Sequence, residues 1–492
     1  MSELPHYSLY IDGAWCDGAD GQVMTSQNPA HGTDWATFAC AAPGDVDRAV
    51  AAARRALDDP AWRDMTQSAR GKLLFHLADL IAEHAQTLGR LETIDSGKLL
   101  AETAAQTGYV ADYYRYYAGL ADKIEGAVLP IDKPDMHVFT RREPIGVVAA
   151  IVPWNAQMFL TATKLGPALA AGCSVVLKAS EVAPAPMLEF AKLIEQAGFP
   201  PGVVSVITGD AENCAIPLTR HPDVDRIAFT GGPETARHVV RNSAENFAVT
   251  SLELGGKSPI LVFDDADLDG AANGLIAGNF GASGQSCVAG SRGLVQRSVF
   301  DAVVAKVAEK AQQITVGDPL EPATHVGPLC TPAQVEKIEQ VLATSRAQGA
   351  EIQFGGQALE RPGNYMSPTL VLCPGPETET LKTEMFGPVM SLMPFDTEEE
   401  AIALANGSPF GLGSGLFTHN VSRAHRVSAR LKAGICWVNT YRAISPIAPF
   451  GGYNQSGYGR EAGMEAILDY TRTKTTWINT SDAPMANPFI MR

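Results

Sequence analysis

The stretch from Pro144 to Lys178, PIGVVAAIVPWNAQMFLTATKLGPALAAGCSVVLK, decides the fold. Its apolar run Ile145 to Val152 reads as a strand and stops at Pro153-Trp154-Asn155. A helical stretch covers Thr161 to Ala171, and Ser174 to Leu177 is again strand-like. Downstream the rhythm continues with a helix from Ala185 to Gln196, a strand Val203 to Thr208, a helix after Ala211 and a strand Arg226 to Phe229. Strand and helix alternating at this spacing predict a parallel sheet covered by helices on both faces.

A second series follows Ser258, with strands at Ile260 to Phe263 and Gly293 to Val295, helices near Ala271 and Phe300, and later strands near Val389 to Met393 and Ile435 to Val438. Two α/β units of this kind are therefore expected. From Pro43 to about Gly119 the pattern is helical, as packing helices would be. Two segments fit neither unit: Ile124 to Arg142, and Tyr470 to Ile478 with its Thr471-Arg472-Thr473-Lys474-Thr475-Thr476-Trp477 alternation. Both read as strands in need of a partner, which another subunit commonly supplies, so a homo-oligomer is expected.

The chain has 492 residues, enough for two or three domains. Its 38 Lys and Arg against 54 Asp and Glu leave a formal charge of −16, which argues against a nucleic-acid partner. Met1 to His6 shows neither a basic nor an apolar leader, and no apolar run reaches the roughly 18 residues that span a bilayer, so a cytoplasmic protein without a membrane partner is expected. The eight cysteines are scattered, without CxxC pairs or clustering with His, and indicate neither a disulfide framework nor a metal site.

One of those cysteines sits in a different setting. In Gly281-Ala282-Ser283-Gly284-Gln285-Ser286-Cys287-Val288-Ala289-Gly290-Ser291 the thiol is surrounded by small residues, which let a substrate approach and leave main-chain N–H groups free to stabilise an oxyanion. The same composition also fits a tightly packed, inert cysteine. Glu253, in Leu252-Glu253-Leu254-Gly255-Gly256-Lys257, can be a partly buried general base or a solvated residue before a Gly-Gly turn. Asn155, after the strand, can donate to an oxyanion or cap a helix.

Together and in this order, the three blocks resemble the aldehyde dehydrogenase superfamily over essentially the whole chain. Further matching blocks are Lys178-Ala179-Ser180-Glu181, Phe229-Thr230-Gly231-Gly232, Glu384-Met385-Phe386-Gly387-Pro388-Val389, Trp437-Val438-Asn439 and Pro449-Phe450-Gly451-Gly452. The resemblance implies an aldehyde dehydrogenase-like α/β fold: two doubly wound parallel-sheet domains plus a small β oligomerisation element. It places an NAD-binding domain at 1–122 and 144–254, a catalytic domain at 255–455, and the oligomerisation element at 123–143 and 465–492, in a homodimer or homotetramer.

By the same resemblance Cys287 attacks an aldehyde, Asn155 and the Cys287 N–H hold the oxyanion of the thiohemiacetal, hydride passes to NAD(P), and Glu253 activates the water that hydrolyses the thioester. The Glu favours hydrolysis over transfer to coenzyme A. Val152, Pro153, Trp154, Asn155, Lys178, Glu181, Gly209, Phe229, Thr230, Gly231, Gly232, Leu254, Glu384 and Phe386 match cofactor-binding positions. Glu181 favours NAD, with NADP also compatible, because a carboxylate there accepts from a 2′-hydroxyl and repels a 2′-phosphate. The match departs at Ala211 and Ala236, where Gly is usual, and at Gly232, where Ser is common.

Tyr109, Leu160, Thr163, Val288, Ile444 and Phe450 match substrate-pocket positions, and Ala156 stands where some relatives carry an aromatic residue. Arg442, near the pocket mouth, suits the far carboxylate of a semialdehyde or a solvated surface position. Glu461 is a candidate second base. Two rival readings use less of the pattern: a cysteine hydrolase or acyltransferase without hydride transfer, and a protein that keeps the fold for a structural role.

Overall fold

The computed structural model describes residues 4–485 and 487–490. The run Val147–Ile151 is the centre of an eight-stranded sheet ordered Gly457–Tyr458, Val249–Leu254, Arg226–Gly231, Val147–Ile151, Ser174–Lys178, Val204–Ile207, Leu9–Ile11, Ala14–Cys16. Its five inner strands are parallel. The edges are antiparallel, supplied by the two N-terminal strands on one side and Gly457–Tyr458 on the other.

Every residue of Val147–Ile151 is buried because both faces of the sheet are covered. Alternate side chains take opposite faces: Val147, Ala149 and Ile151 pack with Val46 and Val50 of the helix Pro43–Asp58, whereas Val148 and Ala150 pack with Leu74, Tyr113 and Leu165. The helix Gln157–Ala171 is buried on all sides and ends at Gly172, whose left-handed φ of 91° closes its C-terminus.

The second sheet has seven strands in the order Glu351–Phe354, Thr369–Leu372, Val389–Phe395, Arg292–Gln296, Pro259–Val262, Gly413–Phe417, Ile435–Val438. All pair in parallel except the edge strand Glu351–Phe354. Its central strands again split their side chains, Leu261 and Leu294 to one core and Ile260, Val262 and Val295 to another.

The two segments expected to seek another subunit find each other instead. Thr471–Asn479 pairs antiparallel with Met136–Pro144 along its full length, from Thr471 opposite Pro144 to Asn479 opposite Met136. The other edge of Met136–Pro144 is taken in part by the chain before it, with Leu129 N–H donating to Val138 O and Thr140 N–H to Ala127 O. The outer edge of Thr471–Asn479 pairs with no further strand among the described residues.

Two other features are not in the sequence reading. The region before Pro43 contains strands, of which His6–Tyr7, Thr33–Ala39 and Val23–Asn28 make a small separate sheet. The helix expected after Ala211 opens as a π-helical turn, Ala211–Ala215, capped by the Asp210 side chain on Asn213 N–H, and only then continues as Ile216–Arg220. No described helix is long and apolar enough to cross a membrane.

Gly457 is the point where the C-terminal region joins the first sheet, directly opposite Glu253. Its φ is +103°, and a Cβ there would stand 2.0 Å from the Leu252 carbonyl oxygen. Gly457→Ala is expected to destabilise the protein by about 1 kcal/mol or more, read as a lower thermal unfolding midpoint. An unchanged midpoint would mean that this crossing does not hold the sheet edge.

Candidate active site

A cavity of about 300 Å³ lies between the end of the strand Val147–Ile151 and the segment Gly281–Gly290 of the second unit, lined by Asn155, Phe159, Leu160, Cys287, Val288 and Arg442 among others. A crevice beyond the carboxyl ends of parallel strands is the usual ligand site of open α/β sheets.

Cys287 reaches this cavity through a strained turn. The helix Leu268–Phe280 ends, and Ala282 and Ser283 both take left-handed φ of 53° before Gly284 at φ 73°. Side-chain-bearing residues in that region cost roughly 1–2 kcal/mol each, so the turn must be held from outside. Glu102 Oε1 accepts from Ala282 N–H (3.0 Å); Ser283 Oγ donates to Gly327 O and accepts from Gly327 N–H, both at 3.0 Å; Gln285 Oε1 accepts from Cys330 N–H (2.9 Å). Asn155 Nδ2 donates to Gln285 O at 3.0 Å, which aims its amide at the cysteine segment and leaves its second N–H to face the cavity. Burial pushes the Cys287 thiol up to about 12, with the charges of Glu384 and Glu253 adding to the rise and the Val288 N–H and Arg442 opposing it.

Glu253 is on the strand Val249–Leu254, paired on one side with Thr230 and on the other with Gly457. It is 3% exposed, and neither carboxyl oxygen has a hydrogen-bond partner among the described residues. Burial first, and then the nearby Glu461 charge, hold its carboxyl well above the usual range, while Lys164 and Arg460 pull it back. Glu461 itself is buried in an ion pair with Lys164 and accepts from Thr163 Oγ1 at 2.6 Å; Lys164 Nζ also donates to Thr230 Oγ1 at 2.6 Å. The sequence reading missed Lys164, although a lone Lys within the apolar helix Gln157–Ala171 is a visible signal, because such a cation is buried only with a partner.

A second group of residues lies along the ends of the first sheet. Lys178 Nζ donates to Glu181 at 2.5 Å. Phe229, Thr230 and Gly231 close the strand Arg226–Gly231, and Gly232 precedes the helix Pro233–Ser243, whose N-terminus has no side-chain cap. Gly209 has φ +153°, and a Cβ there would meet Cys214 Cβ at 3.0 Å. Val152 N–H donates to Lys178 O, and Trp154, after Pro153, meets Phe386 edge to face at 5.5 Å. Phe386 has a left-handed φ of 49°. Glu384 Oε1 accepts from Gly256 N–H at 3.0 Å and fits only because Gly255, after the buried Leu254, has no Cβ, which would stand 2.2 Å from Oε2.

Of the pocket positions, Leu160, Val288, Arg442, Ile444 and Phe450 line the main cavity with Ala156. Thr163 lines a smaller neighbouring cavity with Tyr113, Phe159 and Phe450. Tyr109 lies outside both lining sets, its hydroxyl donating to Ile444 O at 3.2 Å. Arg442 has φ +65°, donates through Nη1 to Ala277 O at 3.2 Å and forms no ion pair among the described residues. All eight cysteines are free, and among the described residues no cluster of His, Cys, Asp and Glu is arranged to hold a metal ion.

Residues 15–476 match the model of the aldehyde dehydrogenase family. The chain is 56% identical over 490 residues, 99% of its length and 100% of the relative's, to (Z)-2-((N-methylformamido)methylene)-5-hydroxybutyrolactone dehydrogenase of Acinetobacter baylyi. The fold superposes on betaine aldehyde dehydrogenase from Staphylococcus aureus in complex with NAD+ with a TM-score of 0.96 at 36% identity, covering 99% of this chain and 97% of that one. PnpE from Pseudomonas sp. WBC-3 superposes with a TM-score of 0.95 at 40% identity, covering 98% and 99%.

Proposed function

The chain belongs to the aldehyde dehydrogenase family, and from that premise we propose that it oxidises a short aldehyde with a carboxylate tail to the acid, with NAD as hydride acceptor, Cys287 as nucleophile and Glu253 as the base of the hydrolytic step. The observation that carries this reading is the buried Glu253 carboxyl with both oxygens unpartnered among the described residues, near the half-buried Cys287 thiol. A group so placed is a proton acceptor poised far above the usual carboxylate range, and nothing in its surroundings occupies the lone pairs that a water would use.

Cys287 adds to the aldehyde carbonyl, its proton passing to solvent water as the C–S bond forms, and the resulting alkoxide is held by the free N–H of Asn155 and the Cys287 main-chain N–H. The bound cofactor supplies the acceptor for the hydride, which leaves a thioester on Cys287. Glu253 takes a proton from water as that water attacks the thioester, and departure of the acid returns the thiol.

The residues around the proposed cofactor groove fit NAD. Glu181, half-exposed and steered by buried Lys178, offers a carboxylate to a ribose 2′-hydroxyl and repels a 2′-phosphate. The uncapped N-terminus of Pro233–Ser243 leaves main-chain N–H groups for a phosphate. Glu384, in the space left by the missing Gly255 side chain, and Phe386 against Trp154 would hold the nicotinamide ribose and ring.

Arg442 supports the acidic tail: it is a cation in the wall of the Cys287 cavity that forms no ion pair with a carboxylate among the described residues. The Acinetobacter baylyi relative is named for a 5-hydroxybutyrolactone. Such a ring is the closed form of a four-carbon aldehyde that carries a carboxylate when open, so the same chemistry suits this cavity. The reading extends to a cytoplasmic homodimer or homotetramer: none of the eight cysteines is disulfide-bonded, and the free edge of Thr471–Asn479 is a ready pairing surface.

Following NADH absorbance with a panel of aldehydes tests the assignment. Cys287→Ala is expected to abolish NADH formation, and Glu253→Gln to give a burst near one equivalent per site followed by slow turnover, because hydride transfer precedes the step that needs the base. Arg442→Ala is expected to raise KM for four-carbon semialdehydes by about 10-fold to 100-fold, the loss of one charge-assisted hydrogen bond, and to leave simple aldehydes nearly unaffected. Wild-type turnover by Cys287→Ala would overturn the mechanism, and equal effects of Arg442→Ala on both substrate types would overturn the tail assignment.

The pH profile tests the surroundings of Glu253. The base acts only when deprotonated, so hydrolysis-limited turnover falls as pH drops through its raised value. Glu461→Gln removes the neighbouring negative charge and is expected to move that acid limb to lower pH. Lys164→Met removes a stabilising cation and should move it to higher pH. If neither variant moves the limb, a group other than Glu253 sets it.

A further inference from the structure

We propose that Glu102 is a positioning residue for the nucleophile, holding the left-handed turn Ala282–Gly284 that carries Cys287 into the cavity. The inference rests on the reading of Cys287 as nucleophile. Glu102 lies in the first turn of the helix Leu100–Leu120, far in sequence from the cysteine, and touches the segment at one point, the Ala282 N–H at 3.0 Å. That N–H belongs to the first of two consecutive non-glycine residues with φ of 53°. The turn keeps this shape only where surrounding groups over-determine it. Ser283 closes a reciprocal pair with Gly327 one residue later, so Glu102 and Ser283 act as two clamps on adjacent strained residues.

A charged acceptor makes the stronger clamp, because a hydrogen bond to a carboxylate exceeds one to a neutral oxygen. Glu102 Oε2 is buried without a hydrogen-bond partner among the described residues. Arg442 lies on the same side of the turn: a Cβ added to Gly281 would stand 2.1 Å from Arg442 Nη1 and 3.9 Å from Glu102 Oε1, and both residues line the Cys287 cavity. The cation proposed to hold the substrate tail and the acid that holds the nucleophile's turn are thus neighbours in one cavity wall without forming an ion pair among the described residues.

The test uses full-length enzyme, a simple aldehyde that does not need Arg442, and iodoacetamide alkylation of Cys287 without cofactor. Glu102→Ala is expected to lower kcat at least tenfold with KM within about twofold. The same variant should shift the alkylation pH profile toward that of an ordinary exposed thiol, because a released turn lets the sulfur reach water. Glu102→Gln keeps an acceptor for Ala282 N–H and is expected to hold kcat within about threefold.

Ala282→Gly, added to Glu102→Ala, is expected to restore both kcat and the alkylation profile, since glycine takes the left-handed conformation without a clamp. An unmoved alkylation profile in Glu102→Ala, or a loss that Ala282→Gly does not recover, overturns the proposal. If Glu102→Ala gives no folded protein, Ser283→Ala removes the neighbouring clamp and carries the same expectation. Alkylation reports where the sulfur sits whether or not Cys287 is the nucleophile, so failure here is distinct from a wild-type rate in Cys287→Ala.

Discussion

A carboxyl group held out of water with neither oxygen hydrogen-bonded is costly, by several kcal/mol if it carries charge, and the architecture is arranged around keeping Glu253 in that state. Its strand lies between Arg226–Gly231 and Gly457–Tyr458, so Glu253 stands opposite Thr230 on one side and Gly457 on the other. Thr230 in turn receives Lys164, and Lys164 holds Glu461. One register thus places the unpartnered carboxyl, the buried cation near it and the second acid. A slip by a single residue would turn Glu253 to the opposite face of the sheet.

The Lys164–Glu461 pair makes this arrangement tolerable. Two isolated buried acids would repel strongly, and one would stay protonated at every relevant pH. With Lys164 bound to Glu461, the negative charge next to Glu253 is largely offset, and burial remains the first cause of its raised affinity for protons. Removing either member of a buried ion pair leaves an uncompensated charge, so the pair is retained as a unit.

Much of this was legible in the sequence, for reasons that can be named. The parallel sheets announced themselves because strands covered on both faces, such as Val147–Ile151, are continuously apolar, and glycines around Cys287 and Glu253 marked places where main chain and side chain approach closely. What escaped depends on contacts between distant segments. Met136–Pro144 and Thr471–Asn479 each read as unpaired strands, because nothing local reveals that the partner is more than 300 residues away in the same chain. The strands before Pro43 are too short, at two to seven residues, to show a period. The left-handed turn at Ala282 and Ser283 was invisible because neither residue favours that conformation; it is imposed by Glu102, Gly327 and Cys330 from elsewhere.

The same three contacts explain how a cysteine whose surroundings raise its proton affinity is held at the cavity. Burial and the charges of Glu384 and Glu253 all favour the protonated thiol, and only the Val288 N–H and Arg442 favour the thiolate. A flexible loop would relieve this by swinging the sulfur to solvent. A turn clamped at Ala282, Ser283 and Gln285 does not allow this. The clamps hold the sulfur in the cavity wall that Asn155 shares, the place where the proposed mechanism puts the negative charge formed at the carbonyl.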